Sequence, residues 1–185
     1  MKVLIFNGAI RKNGDTAQLL QILTEQLQGH EVHTVYCDDK NISPCVDCRF
    51  CWKKPECAIK DGMQEIYKKI DEADWIIMAS PVHFDEISGS LMQVMSRLQM
   101  YCMARMMRKE EVMQDRKRKG AAILAAGGPG KAEPALRMMK VLLHTMHASD
   151  EVIVHCKGTD RKAVQENEVV IEQLYQLAAQ INQED

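Results

Sequence analysis

The sequence lacks a surplus of charge of either sign. It has 24 lysines and arginines against 26 aspartates and glutamates in 185 residues, and its net charge is −2. A chain with this balance has no general attraction to nucleic acid or to an anionic membrane surface, so neither is expected as its partner. The basic residues 116–119 follow Glu110, Glu111 and Asp115, and we interpret them as part of a solvated loop.

Long apolar runs are also missing. No stretch approaches the roughly 20 apolar residues of a membrane-spanning helix. The apolar residues 3–6 are too few for the core of a signal peptide and indicate a buried strand. We therefore expect a cytoplasmic protein with reduced thiols, and the odd number of cysteines, seven, further argues against a disulfide framework.

Short apolar runs alternate with segments of helical periodicity, which is typical of a parallel sheet covered by helices on both faces. The predicted strands cover residues 3–6, 32–36, 73–79, 121–126 and 151–155. The first predicted helix starts near residue 15, and four further helices are predicted over residues 63–70, 88–109, 133–147 and 161–181. We predict one α/β domain, residues 1–185, built as a three-layer sandwich around a five-stranded parallel sheet of order 2-1-3-4-5. A Cys-rich insertion loop without a clear period occupies about residues 37–61.

Three predicted loops follow strands at the carboxyl edge of this sheet, where such sheets bind their ligands: residues 7–15, 80–87 and 126–131. The first loop passes through Gly8 and Gly14 into a helix. Unpaired backbone N–H groups and the positive end of the helix dipole are therefore expected there.

Side chains in this first loop add further hydrogen-bond donors. Arg11, Lys12 and the Thr16 hydroxyl favour a phosphate at this place. The loop has neither the spaced glycines of a dinucleotide site nor the Gly-Lys-Ser/Thr ending of an NTP-binding loop. A polar turn in which Asp15 caps the helix is the alternative interpretation.

The same loop carries a resemblance to a known family. Residues 8–17, Gly-Ala-Ile-Arg-Lys-Asn-Gly-Asp-Thr-Ala, resemble the Gly-Ser-Pro-Arg-Lys-Asn-Gly-Asn-Thr-Ala phosphate loop of the NAD(P)H-dependent FMN reductases. Residues 73–84 resemble the third strand and flavin-ring loop of the iron–sulfur flavoproteins, to which the chain is most similar within the flavodoxin-like superfamily. The resemblance covers most of the chain and implies a flavodoxin-like fold that binds FMN. The FMN-binding residues that it implies are Ala9, Arg11, Lys12, Asp15, Thr16, Pro81, Val82, His83, Phe84, Gly127 and Gly128.

Three of these positions depart from the family pattern. Ala9 replaces a serine and removes a hydroxyl, and His83 replaces the usual tyrosine at the flavin ring. Asp15 replaces an asparagine and brings a carboxylate close to the phosphate, which costs on the order of 1 kcal/mol even in water. We expect Asp15 to turn inward and cap its own helix, so that Arg11 and Lys12 dominate the field at the phosphate.

Four cysteines, Cys45, Cys48, Cys51 and Cys57, crowd into the insertion loop. Two successive two-residue gaps allow three thiolates to surround one compact cluster, with the fourth arriving from nearby chain. Structural zinc sites more often pair two separated Cys-x-x-Cys knuckles. The spacing also resembles the compact motif of the iron–sulfur flavoproteins, which implies a 4Fe–4S cluster. Bound zinc and metal-free thiols are the alternatives.

The resemblance implies an FMN-dependent oxidoreductase that takes electrons from NAD(P)H, or from a reduced carrier such as ferredoxin, and passes them to an acceptor. The flavin carries the chemistry, so no catalytic side chain is expected. Two alternatives stay open: an electron carrier or redox sensor with little turnover, and a scaffold that has lost its ligand. Methionines at helical spacing over residues 92–107 favour an interface in a homodimer or homotetramer, which the relatives usually form.

Overall fold

The structure, a computed structural model, describes residues 1–183 and has a parallel β-sheet at its centre. The strands are β1 Lys2–Asn7, β2 Glu31–Tyr36, β3 Trp75–His83, β4 Glu86–Ile87, β5 Lys119–Ala126 and β6 Val152–Lys157. The α-helices are α1 Asp15–Thr24, α2 Met63–Glu72, α3 Gly89–Met95, α4 Gln99–Met103, α5 Glu133–Thr145 and α6 Glu168–Asn182. Short 3₁₀ turns occupy Phe50–Trp52, Ser96–Leu98 and Val164–Glu166, and a π-helical turn occupies Ala104–Arg108.

The parallel strands lie in the order β2-β1-β3-β5-β6, which is the doubly wound order predicted from the sequence. Successive side chains of a strand point to opposite faces of the sheet. Accordingly, β3 places Ile76 and Met78 in one apolar cluster with α2, α3 and α5, and Trp75 and Ile77 in a second cluster with α1 and α6. The predicted three-layer α/β architecture is confirmed. No helix within residues 1–183 is both long and apolar enough to cross a bilayer.

The segment predicted as a loop after the third strand, residues 80–87, is a hairpin instead. β3 continues to His83, and β4 pairs with it in the antiparallel direction as a sixth strand. The two residues of the turn, Phe84 and Asp85, have φ angles of 52° and 64°. Positive φ at both positions is typical of a type I′ turn, for which Asn-Gly is the usual sequence. The turn sequence here is Phe-Asp instead, so the sequence did not indicate this hairpin.

Two predicted helices differ in their limits. The helix expected over residues 88–109 consists of α3, a 3₁₀ turn, α4 and the π-helical turn in succession. The last helix begins at Glu168 rather than near Arg161, because the side chain of Asn167 caps it by accepting a 3.4 Å hydrogen bond from the N–H of Val170. The assignment of residues 1–185 to one domain with an insertion at 37–61 stays a prediction.

Candidate functional site

A cleft of about 660 Å³ opens at the carboxyl edge of the sheet, beside the ends of β1, β3, β5 and β6. Its volume is within the usual range of small-molecule sites. The lining includes most of the residues expected to bind a cofactor: Ala9, Arg11, Asp15, Thr16, Pro81, Val82, His83, Gly127 and Gly128. The sheet thus brings together three loops that are far apart in the sequence.

Gly8 holds the first of these loops against the sheet. Its N–H donates to the carbonyl of Ala79 at 2.8 Å, and its own carbonyl accepts 2.7 Å hydrogen bonds from the hydroxyls of Ser88 and Ser90. A Cβ atom at Gly8 would lie 2.8 Å from Cβ of Leu91. The close approach requires a glycine here, and the hydrogen bonds fix the position of the turn.

The first turn of α1 contributes Asp15 and Thr16 to the cleft. Gly14 is the N-cap of this helix and offers no side-chain acceptor. The first N–H groups of the helix therefore have no capping partner, and the helix dipole makes this end electropositive. With the Thr16 hydroxyl and the Arg11 guanidinium beside it, the turn can hold an anion such as phosphate.

Asp15 does not cap its own helix, so this sequence-based expectation is wrong. Gly14 occupies the N-cap and Asp15 is the first helical residue, and no side chain caps this end of the helix. Its Oδ2 accepts a 2.9 Å hydrogen bond from Oγ1 of Thr159 and lies 3.7 Å from Nη2 of Arg11. The carboxylate is thus held at the edge of the cleft, where it competes with an anion for Arg11.

A fourth loop, between β6 and α6, also lines the cleft through Thr159 and Asp160. The N–H groups of these two residues donate to the carbonyls of Ala126 and Gly127 at 3.1 and 3.2 Å. A Cβ atom at Gly127 would lie 2.5 Å from the Asp160 carboxylate. Sequence reasoning missed this loop, although Gly158 directly after a strand is a signal that could have indicated it.

Two residues expected at the cofactor site are not part of the cleft lining. Lys12 lines a neighbouring cavity together with Tyr36 and Asp38. The Phe84 side chain is fully exposed at the tip of the β3–β4 hairpin. The turn directs the Phe84 side chain into solvent, since its backbone has positive φ and the hairpin ends there.

The four cysteines of the insertion, Cys45, Cys48, Cys51 and Cys57, line one small cavity, and all four are free. Burial raises the pKa of the Cys51 thiol, and the three neighbouring cysteines raise it further. Within residues 1–183, no three Cys, His, Asp or Glu side chains are arranged as ligands of a single metal ion.

The backbone on either side of Cys48 is in an unusual conformation. Asp47 and Arg49 have φ angles of 49° and 58°, whereas Cys48 between them does not have positive φ. This backbone is strained for residues other than glycine, so the surrounding structure has to hold it.

Arg97 ties the two ends of the Cys-rich loop to the protein core, where it is 1% exposed. Its Nη1 donates to the carbonyl of Ser43 at 2.9 Å and to Oδ2 of Asp61 at 2.8 Å, and its Nη2 donates to the carbonyl of Ile59 at 3.0 Å. These acceptors flank the four cysteines on both sides. Burial alone would raise the pKa of Asp61. The hydrogen bond from Arg97 acts in the opposite direction and contributes to a net lowering of this pKa, so the pair stays charged.

Comparison with known proteins agrees with this arrangement. Residues 1–158 match the family model described as NADPH-dependent FMN reductase. An iron–sulfur flavoprotein of Methanocaldococcus jannaschii is 34% identical over 142 residues, which cover 74% of this chain and 68% of the relative. A second iron–sulfur flavoprotein of that organism is 36% identical over 99 residues, or 52% of this chain and 51% of the relative. The chain spans about half the length of several such relatives.

Solved structures with low sequence identity share the fold. An NAD(P)H:quinone oxidoreductase from Methanothermobacter marburgensis superposes with a TM-score of 0.74 at 15% identity, over 98% of this chain and 96% of the other. An FMN-dependent NADH-azoreductase from Bacillus anthracis in complex with FMN gives a TM-score of 0.65 at 14% identity, over 98% and 99% of the two chains.

Proposed function

The chain belongs to the NADPH-dependent FMN reductase family, and we propose that it is a cytoplasmic FMN-dependent oxidoreductase. In this proposal electrons from NAD(P)H, or from a reduced carrier such as ferredoxin, pass through bound FMN to an acceptor. The observation that carries the proposal is the cleft at the carboxyl edge, in which an anion-binding turn lies beside a wall of backbone and apolar side chains.

The cleft residues suggest how FMN is held. The turn between Gly8 and Thr16 would hold the phosphate, because the N–H groups of α1, the Arg11 guanidinium and the Thr16 hydroxyl can supply donors there. Residues 81–83 of β3 would hold the flavin ring, and residues 127–128 would contact it through their backbone, since both segments line the cleft. Bound FMN supplies hydride and single-electron chemistry. The side chains of the protein bind and orient the flavin, and none is required as an acid or base.

Anaerobic stopped-flow kinetics test the activity. Protein loaded with FMN should lose its flavin absorbance when mixed with NADH or NADPH, at a rate that saturates with nucleotide concentration, and a quinone should restore it. Reduction no faster than that of free FMN with either nucleotide would contradict the enzymatic assignment. Slow reduction by nucleotides with fast reduction by chemically reduced ferredoxin would instead favour the electron-carrier alternative.

The four cysteines of the insertion form a second part of this proposal, since their donor set fits a 4Fe–4S cluster. All four thiols line one cavity. The relatives to which the chain is similar are named iron–sulfur flavoproteins. A cluster at this place supplies single-electron transfer to an external carrier.

Metal analysis after anaerobic reconstitution distinguishes the cluster from its alternatives. Iron and acid-labile sulfide in equal amounts, lost in a Cys48→Ser variant, would support the cluster. Zinc at about one ion per chain, or no metal while FMN still binds, would contradict it and leave the flavin assignment in place.

We also propose a homodimer or homotetramer that forms through the π-helical turn. Met95, Met100 and Met103 are buried in the core of their own chain, whereas Met106 and Met107 are 63% and 48% exposed. Two adjacent exposed methionines suit a soft apolar contact between subunits. Light scattering should show a smaller assembly when both are changed to Glu. An unchanged assembly would place the interface elsewhere.

A further inference from the structure

Two buried N–H groups, on arginines that bond to the Cys-rich loop, have no hydrogen-bond acceptor within residues 1–183. They are Nε of Arg97 and Nη2 of Arg108. A buried donor without an acceptor costs free energy, and it costs more when the group is charged. Such groups are rare in native proteins and indicate a missing partner.

Arg97 cannot turn to find another acceptor. Its Nη1 and Nη2 are fixed by Ser43, Asp61 and Ile59, which hold the plane of the guanidinium. The same side chain forms part of the wall of the cavity that the four cysteines line. Three other hydrogen bonds therefore hold the unpaired Nε–H in a fixed position on a residue of the cavity wall.

Arg108 reaches the Cys-rich loop from the π-helical turn, at the backbone of Cys51. Its side chain is 8% exposed, its Nη1 donates to the carbonyl of Cys51, and its Nε donates to Glu110 at 2.7 Å. π-Helical turns are uncommon and frequently occur at functional sites. Here the turn brings a second fixed guanidinium against one of the four cysteines.

We propose that the missing acceptors are sulfur atoms of the 4Fe–4S cluster, and that Arg97 and Arg108 position this cluster and raise its reduction potential. The inference rests on the cluster of the proposed function. A 4Fe–4S cluster with four thiolate ligands is an anion, and its reduction adds another negative charge. Charged N–H donors therefore stabilise the reduced form more than the oxidised form.

The test compares Arg97→Lys and Arg108→Lys with wild-type protein, all loaded with FMN and reconstituted with iron and sulfide. Lysine keeps the positive charge but lacks the fixed fork of the guanidinium. Gln93→Leu is the matched control. It removes another hydrogen bond that holds the Cys-rich loop, from Nε2 of Gln93 to the carbonyl of Ile42 at 2.7 Å. Gln93 is not a residue of the cavity wall. Cluster potentials are measured by redox titration monitored by electron paramagnetic resonance.

Each lysine variant should make reduction of the cluster about tenfold less favourable, which lowers the potential by about 59 mV. The Gln93→Leu variant should keep the wild-type potential. If Arg97→Lys loosens the loop and takes up no cluster, Arg108→Lys decides, since Arg108 does not bond to Ser43, Ile59 or Asp61.

Two negative results have different meanings. Equal potentials in the wild type and in every lysine variant that takes up the cluster would overturn the inference and leave the cluster and the FMN site intact. Wild-type protein that binds FMN but no iron or sulfide would overturn both the cluster and this inference, while the flavin assignment would stand.

Discussion

The hydroxyl of Thr159 donates a 2.9 Å hydrogen bond to Oδ2 of Asp15, across 144 residues of sequence. This contact joins the loop after β6 to the first turn of α1. It also holds a carboxylate next to the place proposed for the FMN phosphate, where Arg11 is the nearby cation. The affinity for FMN therefore depends on how far Asp15 opposes the anion.

Asp15→Asn should tighten FMN binding. It removes one negative charge near the phosphate, and an amide can still accept the hydrogen bond from Thr159. The expected gain is about 1 kcal/mol, or roughly fivefold in affinity, and it should fall at high salt. Calorimetric titration measures it, with riboflavin as the control because it lacks the phosphate. An equal gain for riboflavin would mean that Asp15 acts on another part of the flavin.

Gly8→Ala should destabilise the protein by about 1–3 kcal/mol, since the new methyl group would collide with Leu91 and with the Ser88 hydroxyl. Gly89→Ala is the matched control, because a Cβ atom at Gly89 meets no other atom within 4 Å. The control should be neutral or stabilising by about 0.5–1 kcal/mol, as alanine is favoured over glycine in a helix. Urea denaturation compares the two variants, and similar losses in both would contradict the packing described around Gly8.

The parallel core could be predicted because its signals are local. The run Trp75, Ile76, Ile77 and Met78 is wholly buried, and an apolar run of this length between helical patterns predicts an interior strand. The β3–β4 hairpin could not be predicted. Its turn consists of Phe84 and Asp85, and although aspartate tolerates positive φ, a phenylalanine at the first position is not characteristic of such a turn.

The candidate site was predictable where it depends on sheet topology and a loop motif. Loops after parallel strands meet at one edge, so residues near Gly8, Pro81 and Gly127 could be placed together. Two other contacts join residues that are distant in sequence: the hydrogen bond of Thr159 to Asp15, and the hydrogen bonds of Arg97 to the Cys-rich loop. No periodicity or spacing within one segment indicates such contacts.

Replacing the turn by Asn-Gly, as Phe84→Asn with Asp85→Gly, should stabilise the protein by about 1–2 kcal/mol, because this pair suits a type I′ turn. The 3.0 Å hydrogen bond from the N–H of Ala135 to the carbonyl of residue 85 is a backbone contact and is retained. Thermal denaturation measures the gain. FMN affinity of the single variant Phe84→Asn should be unchanged, since Phe84 does not line the cleft. Lower stability of the double variant would show that the turn is not strained.

Thiol labelling should separate Cys37 from the cysteines of the insertion. Burial raises the pKa of Cys37 from 9.0 to about 12, so its thiol stays protonated and unreactive well above neutral pH. Cys48 is exposed. With metal-free protein and iodoacetamide at about pH 8, peptide mapping should find Cys48 modified at least roughly tenfold faster than Cys37. In urea the two rates should converge, and fast labelling of Cys37 in folded protein would contradict its burial.

The most direct test of the flavin site is titration of folded, flavin-free protein with FMN and with riboflavin, for the wild type and for Thr16→Val. Wild-type protein should bind about one FMN per chain, as expected for one cleft. Thr16→Val should bind FMN about fivefold more weakly, because one hydroxyl donor to the phosphate is lost, and riboflavin with unchanged affinity. If folded wild-type protein shows no saturable binding of FMN, the account of this site is wrong.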